Sequence, residues 1–154
     1  MIRLSVLLFT LLAFSSCGED KSANIYSYTI ESKKSKLDLL KEYLTTESGL
    51  IDGEYHIWIK DNTSGLVPGP SDHSITLALK IIPDSIGNWT THLVKRADVV
   101  STRNWDELKL KKEEWDLSGV PEVYYNDSKT EIKLVYREKG ILLAAYSSMS
   151  INLE

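Results

Sequence analysis

The C-terminal third of the chain decides the fold, and residues 123–147 read VYYNDSKTEIKLVYREKGILLAAYS. Three parts of this stretch are rich in the β-branched and aromatic side chains that favour strands, namely residues 123–125, 132–137 and 141–147. The polar residues between them have the composition of tight turns. We therefore predict a C-terminal three-stranded antiparallel meander.

The last of these strands, residues 141–147, carries apolar side chains on both of its faces. An antiparallel strand with one wet face should instead alternate between apolar and polar residues. Its second face therefore needs a cover, which is either a second protein or residues 98–119, and we favour the internal cover. Residues 98–119 combine strand-like alternation with good helix formers, so their secondary structure stays open.

The preceding part of the chain supplies further strands and two helices. Strands are predicted at residues 25–30, 55–59 and 75–82. Helices are predicted at residues 33–46, with Ser32 as the N-cap, and from Pro83 onwards. The chain is thus predicted to be an α+β domain, with a single mainly antiparallel sheet of five or six strands and two helices on one face. The strand–helix–strand order near the start leaves a local parallel pairing open.

The N-terminus has the layout of a secretory signal. Arg3 provides a positive start, residues 4–14 are almost entirely apolar, and the small residues Ser15 and Ser16 precede Cys17. The apolar run is shorter than the roughly 20 residues that a membrane-spanning helix needs. We expect residues 1–16 to be a signal peptide, residues 17–24 a tether, and residues 25–154 one domain.

Cys17 is the only cysteine in the chain, and it stands where the members of one protein family carry a lipid. The segment that ends at Cys17 resembles the lipobox of bacterial lipoproteins, with Phe14 in place of the usual aliphatic residue. The resemblance implies a lipid anchor at Cys17 and attachment to a bilayer. Glu19 and Asp20 are similar to the acidic tag of some surface-exposed lipoproteins of Bacteroidota. We therefore expect a lipid-anchored outer-membrane protein, on the periplasmic face or the cell surface.

The charge of the chain excludes one class of partner. The full sequence has 154 residues and a net charge of −4, and removal of residues 1–16 leaves a net charge of −5. Nucleic-acid binding needs a concentrated positive field, so a nucleic-acid partner is not expected.

The sequence contains no motif that specifies a reaction, a metal or a cofactor. The three histidines are separated by 17 and 19 residues, which matches no metal motif, so neither a metal nor a cofactor is expected. Nucleophile elbows and phosphate loops are also missing. Only an arrangement formed by folding could make His56, His73 or His92 a general base.

Four apolar residues are candidates for contact with another protein. Leu66 and Val67 lie in residues 61–72, which have the composition of a long surface loop. Trp105 and Trp115 lie in a polar segment, and half-exposed tryptophans can anchor a partner. Packing in the core or at an edge is the alternative for both tryptophans, and an inert connector is the alternative for the loop.

These observations lead to two functional hypotheses. The first is an envelope-anchored, non-enzymatic protein-binding module with an unidentified partner, of which an immunity-type lipoprotein that blocks a toxin is a specific form. The alternative is a small envelope hydrolase with a histidine general base. A histidine that lies within hydrogen-bond reach of a carboxylate or hydroxyl inside a cleft would favour the hydrolase.

Overall fold

A computed structural model describes residues 22–62 and 69–152. The fold is α+β, and its centre is one open antiparallel sheet of seven strands. The strands are β1 (Ala23–Tyr26), β2 (Leu50–Lys60), β3 (Asp72–Ile81), β4 (Val94–Arg96), β5 (Glu122–Tyr125), β6 (Glu131–Tyr136) and β7 (Ile141–Ser147). Their order across the sheet is β1-β2-β3-β7-β6-β5-β4.

The predicted meander is confirmed, because β5, β6 and β7 are consecutive antiparallel neighbours. The prediction of five or six strands is too low, since it missed β4. This strand has three residues and lies at the edge of the sheet, where it pairs only with β5. So short an edge strand needs no apolar alternation, and its sequence therefore gave no period to detect. The local parallel pairing does not occur, since β1 and β2 pair antiparallel.

Strand β7 is the middle strand of the seven and joins the two halves of the sheet. It pairs with β3 on one side, over Ser74 to Lys80, and with β6 on the other. Its residues from Ile141 to Ala145 are buried on both faces. The sheet therefore has two apolar faces at its centre, and each of them is covered.

Two helices cover the first face, and their bounds differ from those that the sequence predicted. Helix α1 (Lys33–Lys41) buries Leu40, and helix α2 (Gly87–Thr90), which follows a 3₁₀ turn at Pro83–Ser85, buries Trp89. These side chains join one apolar cluster with Leu77, Leu79 and Leu142 of the sheet. Ser32 caps α1 as predicted, by accepting a hydrogen bond from the backbone N–H of Ser35.

Helix α1 is shorter than the predicted residues 33–46. Its final hydrogen bonds run over three residues, from the Tyr43 N–H to the Leu40 carbonyl and from the Leu44 N–H to the Lys41 carbonyl. The next residues are Thr45 and Thr46, which are weak helix formers. Low helix propensity after Leu44 accounts for the early end.

Residues 98–119, here called the cover segment, lie across the second face. Only Thr102–Leu108 forms a 3₁₀ helix, and the rest of the cover segment is irregular. Trp105, Leu108 and Trp115 join a second apolar cluster with Leu134 and Leu143 of the sheet. The internal cover that the pattern of β7 favoured is therefore present.

The turn between β6 and β7 depends on a glycine. Gly140 has φ +62°, and a Cβ at this position would lie 2.2 Å from the carbonyl oxygen of Ile81. The same glycine accepts a hydrogen bond from the Ile81 N–H through its carbonyl oxygen at 2.7 Å. The end of β3 thus packs directly on this turn, and only glycine fits between them.

We expect Gly140→Ala to lower the free energy of unfolding by about 2 kcal/mol or more, because it adds a left-handed strain and a backbone clash. Gly87→Ala is the matched control, since a Cβ at Gly87 meets nothing within 4 Å. Gly87 begins a helix, where alanine is favoured over glycine by roughly 0.5–1 kcal/mol. Urea denaturation of both variants measures the difference, and equal stabilities would contradict the packing at Gly140.

Candidate functional site

The cover segment holds its first tryptophan against the middle of the sheet. Trp105 is 2% exposed, and its indole Nε1 donates a hydrogen bond to the carbonyl oxygen of Ala144 at 3.1 Å. Ala144 belongs to β7, so this bond ties the 3₁₀ helix to the central strand. Trp115 is 4% exposed and packs in the same apolar cluster. Both indoles are mainly structural, and only their edges remain for contact with another molecule.

A hollow of about 470 Å³ lies beside these two tryptophans, and we call it the Trp115 cleft. Volumes of this order are typical of small-ligand sites. Its apolar lining comes from the two indoles and two leucines, and its polar lining from hydroxyl groups, lysines and aspartates. The full lining is Thr102, Trp105, Asp106, Lys109, Leu110, Lys112, Trp115, Asp116, Leu117 and Ser118.

One end of the Trp115 cleft is fixed by an ion pair. Lys139 Nζ lies 2.8 Å from Asp116 Oδ2 and also donates to the carbonyl oxygen of Ser118 at 2.6 Å. The Ser118 backbone N–H donates to Asp116 Oδ1 at 3.0 Å. The hydrogen bond from Lys139 is the main reason why the pKa of Asp116 lies well below its usual range. The Asp116 carboxylate is therefore already satisfied within the protein.

A second hollow lies next to the Trp115 cleft and shares Lys109, Leu110 and Trp115 with it. Its other side carries a polar network at the edge of the sheet. Ser27 Oγ donates to Glu54 Oε2 at 2.5 Å, and Lys36 Nζ lies 2.5 Å from Glu54 Oε1. The network therefore links α1 to β2, which explains why these polar groups are largely buried.

Ser27 also explains why β1 ends earlier than the predicted strand at residues 25–30. Its Oγ accepts a hydrogen bond from the Tyr55 backbone N–H at 2.9 Å. The side chain thus takes the place of a backbone acceptor where β1 leaves the sheet, and Ser27–Thr29 continues as a 3₁₀ turn. No strand period could reveal this exchange of a backbone acceptor for a side-chain acceptor.

Two histidines pair with carboxylates. His56 Nδ1 lies 2.9 Å from Glu107 of the cover segment, and its Nε2 lies 2.9 Å from Asn24 Oδ1 in β1. The His56 ring is stacked on Tyr26, with ring centroids 4.0 Å apart. His56 therefore joins β1, β2 and the cover segment, and both of its ring nitrogens are engaged.

The second pair belongs to a network around a buried lysine. His92 Nε2 lies 2.9 Å from both carboxylate oxygens of Glu131, and Glu131 pairs with Lys133 Nζ at 2.8 Å. Lys133 is 1% exposed and donates to the carbonyl oxygen of Trp89 at 2.6 Å. Burial lowers the pKa of Lys133, and the ion pair with Glu131 opposes that shift. The network fastens the end of α2 to β6.

Neither paired histidine lines the Trp115 cleft or the second hollow. His73, at the start of β3, contributes its backbone N–H and carbonyl oxygen to Ser148. Within residues 22–62 and 69–152, no group of three or more histidine, cysteine, aspartate or glutamate side chains could hold a metal ion.

Of the contact residues that the sequence predicted, the structure locates the two tryptophans. Trp105 and Trp115 come together beside one cleft, whereas Cys17, Leu66 and Val67 lie outside the described residues. The sequence did not single out Lys109 or Lys112 as site residues. Lysines in a polar segment are typical of a solvated surface, so only folding reveals their place at a cleft.

No protein-family model matches the chain, and no match was found among curated proteins or solved structures.

We expect Trp105→Ala and Trp115→Ala each to lower the free energy of unfolding by roughly 3–5 kcal/mol, because each removes a buried aromatic side chain. Val120→Ala is the control, since Val120 is 95% exposed and its replacement should change stability by less than about 0.5 kcal/mol. Chemical denaturation followed by circular dichroism measures all three variants. A tryptophan variant as stable as the control would show that its indole does not pack in the core.

Proposed function

We propose that the protein is a lipid-anchored bacterial envelope protein whose domain binds another protein without catalysing a reaction. The observation that carries the proposal is the order of features in residues 1–17, which end on the only cysteine of the chain. A lone cysteine has no partner for an internal disulfide, and lipidation gives it a role. Within the described residues, no helix is long and apolar enough to cross a membrane.

The position of the sheet limits how far the domain can lie from its anchor. Strand β1 begins at Ala23, six residues after Cys17. Six extended residues span at most about 20 Å. A lipid on Cys17 would therefore hold the sheet close to the bilayer, where it meets other envelope proteins. We place the anchor in the outer membrane, because Glu19 and Asp20 follow Cys17 as in the surface-exposed lipoproteins that the segment resembles.

The charged groups of the described domain support binding over catalysis. Several of its ion pairs connect separate structural elements, as Lys36 of α1 with Glu54 of β2 and Lys139 with Asp116 of the cover segment do. Groups used in this way fix the fold and are not presented to a substrate. The Trp115 cleft combines apolar edges with polar groups, a combination that suits a protein contact.

The alternative, an envelope hydrolase, draws its support from the two histidine–carboxylate pairs. A general base also needs a free ring nitrogen that faces a bound substrate. Both nitrogens of His56 are engaged, and His92 has a side chain that is 51% exposed and lies outside the two hollows. The binding module is therefore the better supported of the two functions.

Co-purification from the native envelope tests the binding function without assuming any chemistry. We expect the lipidated protein to retain a stoichiometric protein partner, and Cys17→Ser to lose it when membrane placement is required. An immunity-type role would appear as a secreted toxin in the retained fraction. Hydrolysis of envelope components that disappears in His92→Gln would favour the hydrolase instead.

We expect Cys17→Ser to accumulate as unprocessed precursor without lipid, because the lipid is attached to this thiol in the family that the segment resembles. One acyl chain gives only marginal membrane binding, whereas two or more hold a protein stably. Intact-mass spectrometry and flotation with vesicles measure both effects. Ser16→Gly is the control, since it keeps a small residue before the cysteine and should leave processing unchanged. An unmodified Cys17 in the processed wild-type protein would contradict the anchor.

A further inference from the structure

The lining of the Trp115 cleft carries two lysines, Lys109 and Lys112, and two aspartates, Asp106 and Asp116. Several charges in the two hollows cancel as pairs, namely Lys36 with Glu54, Lys111 with Glu114, and Asp116 with Lys139. Lys109 and Lys112 of the lining have no carboxylate partner among the described residues, and neither does Lys80, which lies outside the lining. Against them stands one unpaired carboxylate of the lining, Asp106. Because Asp116 is paired with Lys139, the unpaired charges of the lining are two lysines against one aspartate.

Two of these lysines lie over aromatic rings. Lys80 Nζ is 4.8 Å from the ring centroid of Trp115, and Lys109 Nζ is 4.4 Å from that of Tyr28. Tyr28 lines the second hollow, so Lys109 stands at the boundary between the two hollows. A cation over a ring keeps its charge and its hydrogen-bond donors, and it can still pair with an anion.

The backbone of Lys109 gives an independent observation. This residue has φ 53° and ψ 42°, the left-handed conformation in which glycine or asparagine is preferred. A side chain such as lysine is strained there, and strain of this kind clusters at functional sites. Asparagine or glycine would therefore be more stable than lysine at this position, as also at Lys129 with φ 55° in the β5–β6 turn.

The indole of Trp115 adds a neutral donor. Its N–H has no acceptor in the described part of the chain, whereas the Trp105 N–H donates a hydrogen bond to the carbonyl oxygen of Ala144. Arg96 Nε is the one buried side-chain polar atom without a partner among the described residues. The Trp115 N–H is not such an atom, so it keeps some contact with solvent although the residue as a whole is only 4% exposed.

We propose that the Trp115 cleft binds an acidic peptide segment of the partner protein. Carboxylates of the segment pair with Lys109 and Lys112, and an apolar side chain between them packs against Leu110 and the edge of Trp115. The proposal rests on the protein-binding function and names the chemistry of the partner. Charge complementarity selects an acidic segment, and a volume of about 470 Å³ leaves room for a few side chains.

The experiment is a ¹H–¹⁵N NMR titration of the full-length processed protein in detergent. The probe is acetyl-Glu-Leu-Glu-amide, and acetyl-Gln-Leu-Gln-amide is its neutral counterpart of the same shape. We expect the acidic peptide to shift the indole N–H signals of Trp105 and Trp115 and to leave those of Trp58 and Trp89 in place. The neutral peptide should bind at least about threefold more weakly, as expected when exposed ion pairs are lost.

Two lysines in the same backbone conformation provide matched variants. Lys109→Asn removes the charge but keeps a residue that tolerates the left-handed region, and Lys129→Asn does the same at φ 55° in the β5–β6 turn, away from the cleft. We expect Lys109→Asn and Lys112→Gln each to lower the affinity for the acidic peptide by about threefold or more. Lys129→Asn should leave the affinity unchanged. The melting temperature of Lys109→Asn should equal or exceed that of the wild type, which separates binding from folding.

Several results would overturn the proposal. If the acidic and neutral peptides bound equally, or if Lys129→Asn lowered the affinity as much as Lys109→Asn, the cleft lysines would not recognise the acidic peptide. If neither peptide shifted the Trp105 and Trp115 signals, the cleft would not be the binding site. Glutarate, a free dicarboxylate, binding as tightly as the peptide would assign the cleft to a small anion. Peptide binding does not depend on the processing of Cys17. A negative titration would therefore reject the cleft proposal and leave the proposed lipid anchor in place. A co-purified partner that Lys112→Gln retains would leave the binding function intact and contradict only the cleft.

Discussion

The fold depends on the burial of both faces of β7. This strand is the middle one of the seven described strands, and its residues from Ile141 to Ala145 are buried on either side. Helices α1 and α2 supply one cover, and the cover segment supplies the other. Because the cover segment has little regular structure, it is held by specific contacts. These are the Trp105 hydrogen bond to Ala144, the His56–Glu107 pair and the Lys139–Asp116 pair.

The need for a cover also creates the candidate site. A segment that packs two indoles onto a sheet leaves a hollow between its turns, and the backbone reversal at Lys109 borders that hollow. The apolar edges come from residues that stabilise the core, while Lys109 and Lys112 form no ion pair that holds the cover segment. Lys112 and Lys109 can therefore change with little effect on the fold, whereas Trp105 and Trp115 cannot.

The parts of the fold that the sequence predicted are those with a clear period. The β5–β6–β7 meander and the cap at Ser32 both follow from local patterns. Strand β4 is too short to show a period. Strand β1 ends because Ser27 Oγ accepts a hydrogen bond from the backbone N–H of Tyr55, which is distant in the sequence. The cleft lysines escaped prediction for a similar reason, since their lack of carboxylate partners is a property of the folded surface. The anchor at Cys17 and the contact residues Leu66 and Val67 remain predictions.

Hydrogen exchange at the Trp105 indole tests the central claim, which is that the cover segment closes the second face of β7. Its N–H donates to a carbonyl oxygen inside the sheet, so exchange requires the cover segment to leave the sheet. We predict that the Trp105 indole proton exchanges as slowly as the backbone amides of β7. Exchange as fast as that of a solvent-exposed indole, with the β7 amides still protected on the α1 side, would show that the second face is open.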